Sequence, residues 1–191
     1  MTVTTDRYTI ISADCHAGGN HEMYREYLDP KYRDEFDAWR NRYKNPFRDL
    51  QDGGRVRNWD DDRRLGDLYA DRQVAEVIYP NTVPPFFPSF VLFAKPPTAE
   101  QYELRRAGLQ AHNRWLADFC SRYPNQRAGI GQVFLNDVDD AIEDLARNRR
   151  WSYIGTSALP TDPSILLWDT VKTGRRIPTW EGAMFIQNGK P

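Results

Sequence analysis

Apolar and polar positions switch between two periods along the chain. Tyr8 to Ala13 (YTIISA) is a β-branched and aromatic run that stops at polar Asp14 and at Gly18-Gly19, which predicts a short buried strand. His21 to Leu28 reads as a short helix that ends before Pro30. Pro30 suits the first turn of the next helix, with Asp29 as its N-cap. There Tyr32, Phe36 and Trp39 share a face at spacings of four and three. Asp62 to Arg72 reads as a short polar helix, and Val74 to Tyr79 (VAEVIY), closed by Pro80, as a second strand. Prolines cluster from Pro80 to Pro97 and predict a long irregular segment.

Thr98 and Gln101 have the spacing of a capping box. The helix they open runs to about Tyr123, with Leu109, His112, Leu116, Phe119 and Tyr123 on one face. Arg127 to Leu135 is a third strand. Asn136 or Asp137 then caps a helix whose expected apolar face is Val138, Ala141, Ile142 and Leu145. Ser152 to Leu159 is a weaker fourth strand. Beyond Pro160 the pattern loosens, with a helical reading for Ile165 to Val171 and a strand reading from Arg176 to Pro178.

Strand and helix alternate, which argues for a parallel α/β sheet. Such sheets carry their chemistry at the C-terminal ends of the strands. Composition narrows the partners. With 26 basic against 27 acidic residues the net charge is −1, no footprint for nucleic acid or an acidic membrane surface. No run approaches the roughly 20 apolar residues of a membrane span. The opening MTVTTDRYTI has no basic region followed by an apolar stretch, so no signal peptide and a cytoplasmic location are expected. Two cysteines, Cys15 and Cys120, exclude a disulfide-rich scaffold.

Asp14-x-His16, placed just past the first strand, is the sharpest chemical feature. Alternate residues of a strand point the same way, so a carboxylate and an imidazole two apart can face one zinc or manganese ion. A loop cap uses the same spacing. Asn81 follows the second strand and is a candidate substrate contact or a plain Pro-Asn turn. Phe86, Phe87 and Phe90 read as a lid or as packing on the rim. His21 reads as an exposed neighbour of a helix cap, and His112 as a core histidine rather than a ligand. Cys15 has no sequence-local partner for nucleophilic work except His16, which a metal would claim, and adjacent residues on a strand point apart. Asp60-Asp61-Asp62, flanked by arginines, reads as a solvated helix start.

The stretches YTIISADCHAGG, EYLDPKYRDEF, AEVIYPNTVPPFF, AGLQAHNRWLADFC and RAGIGQVFLNDVDDAIED resemble the amidohydrolase-related family (the amidohydrolase 2 group). That group includes enzymes like aminocarboxymuconate semialdehyde decarboxylase, and the resemblance covers about residues 7 to 145. It implies a (β/α)8 TIM-type barrel with a divalent metal at the strand ends. It also implies hydrolysis of C–N or C–O bonds, or non-oxidative decarboxylation, of a small-molecule substrate. Asp14 and His16 match the family's first metal motif in its variant with an acidic first residue. The family's further ligands are histidines after the middle strands and an aspartate after the last. The sequence departs from the pattern here, since its three histidines are His16, His21 and His112. Arg72 stands where the family tends to have a turn glycine.

The expectation is an α/β N-terminal portion of a metal-dependent-hydrolase barrel, incomplete, over residues 1–160. A degenerate or unrelated tail is expected over 161–191. Asp14 and His16 are its candidate metal ligands and Asn81 its candidate substrate contact. Zinc or manganese is the expected ion, and the isolated chain is expected to be weakly active or inactive. The alternative is a non-catalytic module that self-associates into a homo-oligomer through unpaired strand edges. A small doubly wound domain is a third option, but Gly18-Gly19 is not the phosphate-binding G-x-G-x-x-G.

Overall fold

A computed structural model describes residues 9–44, 53–88, 95–149, 154–159 and 183–184. Within them lie strands β1 (Ile11–Ala17), β2 (Ala75–Pro80), β3 (Arg127–Phe134), β4 (Ile154–Leu159) and β5 (Ala183–Met184). They form one sheet in the order β1-β2-β3-β4-β5. The first four are parallel, and β5 runs antiparallel against β4. Helices α1 (His21–Tyr27), α2 (Arg33–Arg42) and α3 (Asp61–Ala70) stand between β1 and β2. Helix α4 (Ala99–Ser121) joins β2 to β3, and α5 (Val138–Arg149) joins β3 to β4. The chain is therefore α/β, as its alternating pattern predicts. Its strands follow one another in space as consecutive strands of a β/α barrel do. The reversal of strand order that defines a doubly wound sheet is absent among the described strands, so that option falls.

The main core forms where α1 and α4 lie on β1 and β2. Ala17, Tyr24, Ile78, Trp115, Leu116, Phe119 and Cys120 are all buried in it. Four of the five residues of the predicted α4 face, Leu109, His112, Leu116 and Phe119, are buried, while Tyr123 lies past the end of the helix and is half-buried. Gly129 lets α4 lie close on β3, because a Cβ there would stand 2.9 Å from both Cys120 Sγ and Leu116 Cγ. Phe36 and Trp39 of α2 pack on Phe86, and Phe87 stacks on Phe134 with ring centroids 5.5 Å apart. Phe86 and Phe87 are thus packing residues. Phe90 lies outside the described residues.

Asn113 of α4 closes a gap in the sheet. β2 pairs with β3 only over Glu76, Val77 and Ile78. Beyond that point Asn113 takes the place of a strand neighbour. Its Nδ2 donates to Gln132 O at 2.7 Å, and Gln132 N donates to its Oδ1 at 2.8 Å.

Three expectations need correction. The first strand is shifted toward the C-terminus and is not buried at its start: Ile10 and Ile11 are exposed, and Asp14, Cys15 and His16 lie within β1 rather than after it. In α5, Val138 and Ile142 are exposed while Ala141 and Asp144 are buried. The helix turns its acidic side inward because Arg106 of α4 waits there. Arg106 meets Asp140 at 2.5 Å, Glu143 at 2.7 Å and Asp144 at 3.1 Å. Asp61 is not solvated, since it pairs with the fully buried Arg127. Asp60 does cap α3 as expected, accepting from Arg63 N at 2.8 Å. The helix and strand readings for Ile165 to Val171 and Arg176 to Pro178 lie outside the described residues.

Candidate metal centre

β1 does not run regularly. Its pairing with β2 shifts between Ser12 and Cys15. These two residues are three apart, yet Cys15 Sγ donates to Ser12 Oγ at 3.0 Å, so both project to one face. Strict alternation would place them on opposite faces. The backbone agrees: Ile10 O accepts from Val74 N, and Ala17 O accepts from Asn81 N. An even position before the shift and an odd position after it both face β2. A bulge of one residue accounts for both observations.

The bulge decides where the chemistry points. Without it, Asp14 and His16 would share the face of Ser12. With it, Cys15 and Ala17 take that face, and Ala17 is buried in the core under α1 and α4. Asp14 and His16 turn to the other side, where their side chains are 87% and 49% exposed.

His16 is oriented by its surroundings. Its Nδ1 lies 3.3 Å from Pro80 O, and a carbonyl can only accept, so the ring proton sits on Nδ1. Nε2, the other ring nitrogen, stands 3.4 Å from Asp14 Oδ1. With the imidazole neutral, two electron-pair donors face each other, an arrangement that a proton or a metal cation between them would satisfy. Adjacent donors around a tetrahedral zinc ion with bonds of about 2.1 Å are about 3.4 Å apart. The pair therefore fits two corners of one coordination sphere. Among the described residues, no third His, Cys, Asp or Glu completes it.

The surrounding strand ends are tightly built. Gly18 follows β1 where a Cβ would stand 2.2 Å from Thr82 Oγ1, so only glycine fits. Asn81 N donates to Ala17 O at 3.0 Å. Its Nδ2 donates to Asn58 Oδ1 at 2.8 Å, which orients the amide with its Oδ1 turned away from Asn58. Nothing in the sequence marks Asn58, and its role appears only in three dimensions.

The other candidates take structural roles. His112 is fully buried, with Nδ1 2.7 Å from the Tyr24 hydroxyl, which also meets Thr82 Oγ1 at 2.5 Å. Burial pulls its pKa down to about 4, so it is a neutral core residue. His21 is half-buried rather than exposed. Its Nε2 lies 3.1 Å from Val83 O, and its ring sits edge-on against Trp39 and Tyr43. Burial raises the Cys15 thiol, against the pull of its Ser12 bond, which disfavours a nucleophilic thiolate.

A buried ion cluster that sequence reading missed lies beside the site. Arg64 of α3 grips Glu76 of β2 with two bonds of 2.6 Å. Arg127 lies 3.5 Å from Glu76 and 2.5 Å from Asp61, with its guanidinium 3.9 Å from the Phe119 ring centroid. The one signal was a glutamate inside the apolar strand VAEVIY. A groove of about 430 Å³ lies elsewhere, lined by Trp39, Phe86, Phe87, Leu104 and Arg105 among others, and no residue of β1 or β2 reaches it.

No helix among the described residues is long and apolar enough to cross a membrane. No protein-family model and no curated protein sequence matches the chain. Solved structures similar to it include three decarboxylases. One is 5-carboxyvanillate decarboxylase from Novosphingobium aromaticivorans with bound manganese and 3-methoxy-4-hydroxy-5-nitrobenzoic acid. It is 19% identical over 78% of this chain and 41% of that one, with a TM-score of 0.49. The second is 2,6-dihydroxybenzoate decarboxylase complexed with 2,6-dihydroxybenzoate. It is 21% identical over 74% of this chain and 36% of that one, with a TM-score of 0.38. The third is 2,6-dihydroxybenzoate decarboxylase from Rhizobium, 20% identical over 74% and 35%, also at 0.38. The chain spans less than half the length of each.

Proposed function

We propose that the chain carries the first two ligands, Asp14 and His16, of a divalent-metal site of the amidohydrolase-related kind. The reaction class is decarboxylation or C–N/C–O hydrolysis of a small carboxylate-bearing molecule. The observation that supports it is the 3.4 Å approach of His16 Nε2 to Asp14 Oδ1 on the open face of β1. Zinc or manganese is the fitting ion, because a carboxylate and an imidazole suit either. When bound, the metal polarises a water or grips the substrate carboxylate. The residues of this chain do the rest. His16 Nδ1 gives its proton to Pro80 O and so presents Nε2 outward. Asn81, held by Asn58, offers an amide oxygen at the adjoining strand end to a hydrogen-bond donor on the substrate. Gly18 keeps the space between the strand ends narrow. The barrel reading rests on the sequential parallel order of β1 to β4. The division into a barrel portion over 1–160 and a separate tail over 161–191 is part of the same proposal.

A second reading has its own support. Ile10, Ile11 and Val74 are large apolar residues left exposed at the β1 side of the sheet. A second copy or another chain that covers them would make this a self-associating module, catalytic or not. One experiment tests the main reading: equilibrium dialysis against Mn²⁺ or Zn²⁺, with sedimentation on the same samples. We expect about one ion per chain, lost in Asp14→Ala and in His16→Ala. Binding that persists in both variants, or a wild-type protein that binds no metal, would sink it.

A further inference from the structure

The outer edge of β1 has no strand beside it among the described residues, since β1 ends the sheet. Two backbone groups on that edge find partners outside a strand. His16 O accepts from Arg64 Nη1 at 2.9 Å, and Gly18 N donates to Asn58 O at 3.3 Å. In an extended chain the carbonyl of one residue and the N–H of the residue two further on lie on the same edge, so the two bonds replace a strand neighbour. Arg64 also donates to Arg57 O at 3.2 Å, which ties it to the 3₁₀ segment that carries Asn58. Its other two nitrogens are spent on Glu76 of β2. One planar fork thus fixes the height of β1 against β2 at the residue where the bulge has just reset the register.

We propose that Arg64 is the positioning residue for the Asp14–His16 pair. It holds the His16 backbone so that the ring reaches Pro80 O and Nε2 faces Asp14. The ladder to β2 pairs Cys15, His16 and Ala17 on one edge only, and the bulge leaves Ala13 and Asp14 without paired partners, so Arg64 supplies the hold on the other edge. Lysine cannot replace it, since one ammonium does not grip two carboxylate oxygens and reach a carbonyl in the same plane. The proposal deepens the metal reading and rests on it only where metal affinity is measured.

Two variants test it. Arg64→Lys keeps a charge beside Glu76. Arg64→Met with Glu76→Met removes the buried pair together and leaves Arg127 its bond to Asp61. The primary readout is the long-range ¹H–¹⁵N spectrum of the His16 ring, taken without metal and with the imidazole neutral. The wild type shows the Nδ1–H tautomer, and both variants show a mixture while circular dichroism stays native. Mn²⁺ affinity is read alongside and falls about 10- to 100-fold, as for lost outer partners of a metal-binding histidine. A wild-type His16 ring spectrum in either folded variant overturns the proposal. If the wild type binds no Mn²⁺, the metal reading falls and the ring spectrum still decides the role of Arg64. If the double variant does not fold, Arg64→Lys decides it by the same spectrum.

Discussion

Asn113 offers the most demanding test of how this sheet is held together. It is 2% exposed and makes two bonds to one backbone unit, Gln132 N–H and Gln132 O. Asn113→Leu keeps the volume and removes both bonds. Two buried backbone groups are then left without partners, at about 1–3 kcal/mol each. The expected cost is about 2–6 kcal/mol, a large part of the roughly 5–15 kcal/mol that holds a typical domain. Asn113→Ala should cost less than Leu, because the space it opens admits a water that can serve both groups. This order reverses the usual one for a buried site, where losing side-chain volume is the larger penalty. Urea unfolding followed by tryptophan fluorescence measures both variants, with equal slopes required for a fair comparison. A loss under about 1 kcal/mol in Asn113→Leu would mean that the gap between β2 and β3 is hydrated in solution. The account of Asn113 as a surrogate strand would then be wrong.

Two further outcomes are expected. Arg72 ends α3 with φ at 58°, with Arg72 N bonded to Tyr69 O and Gln73 N to Leu68 O, the left-handed helix stop that favours glycine. The exposed side chain gives little back, so Arg72→Gly should stabilise by about 0.5–1 kcal/mol in urea unfolding, and any destabilisation refutes the strain argument. His112 makes stability depend on pH. Its pKa is about 4 folded against 6.5 unfolded, so the unfolded chain binds the proton first. Its contribution is full above pH 6.5 and falls by about 3 kcal/mol as the pH drops toward 4. His112→Gln should flatten that part of the wild-type stability profile, and an unchanged slope would show that His112 is not neutral in the core.

Sequence periodicity captured the elements whose burial is one-sided. The apolar stripe of α4 packs on Ala17 and Ile78 of the sheet, so pattern and packing agree. In α5 they do not. Val138 and Ile142 stay exposed because Arg106 offers Asp140, Glu143 and Asp144 more than an apolar contact offers the other face. An arginine 34 residues before Asp140 leaves no periodic trace. The positive φ at the end of α3 was foreshadowed by the glycine expected there, and the chain adopts that conformation with arginine in place.

The candidate site shows the same division more sharply. Asp14-x-His16 was visible because alternate strand residues share a face, and the two side chains do meet. The rule puts the two side chains on one face but does not say which face. Counted from Ser12, a regular strand would have turned both residues toward the helices, where a half-paired carboxylate would be costly to bury. A single extra residue in β1 turns them outward. What maintains that turn is a guanidinium from α3 bonded to His16 O, in a segment whose dense charge read as plain solvated surface. Local spacing therefore identifies which residues can share an ion, and the bulge with its tether decides whether they face one. A chain of this kind that kept Asp14 and His16 but lost the bulge should retain the motif and lose the site, and one that lost only Arg64 should keep a weakened one.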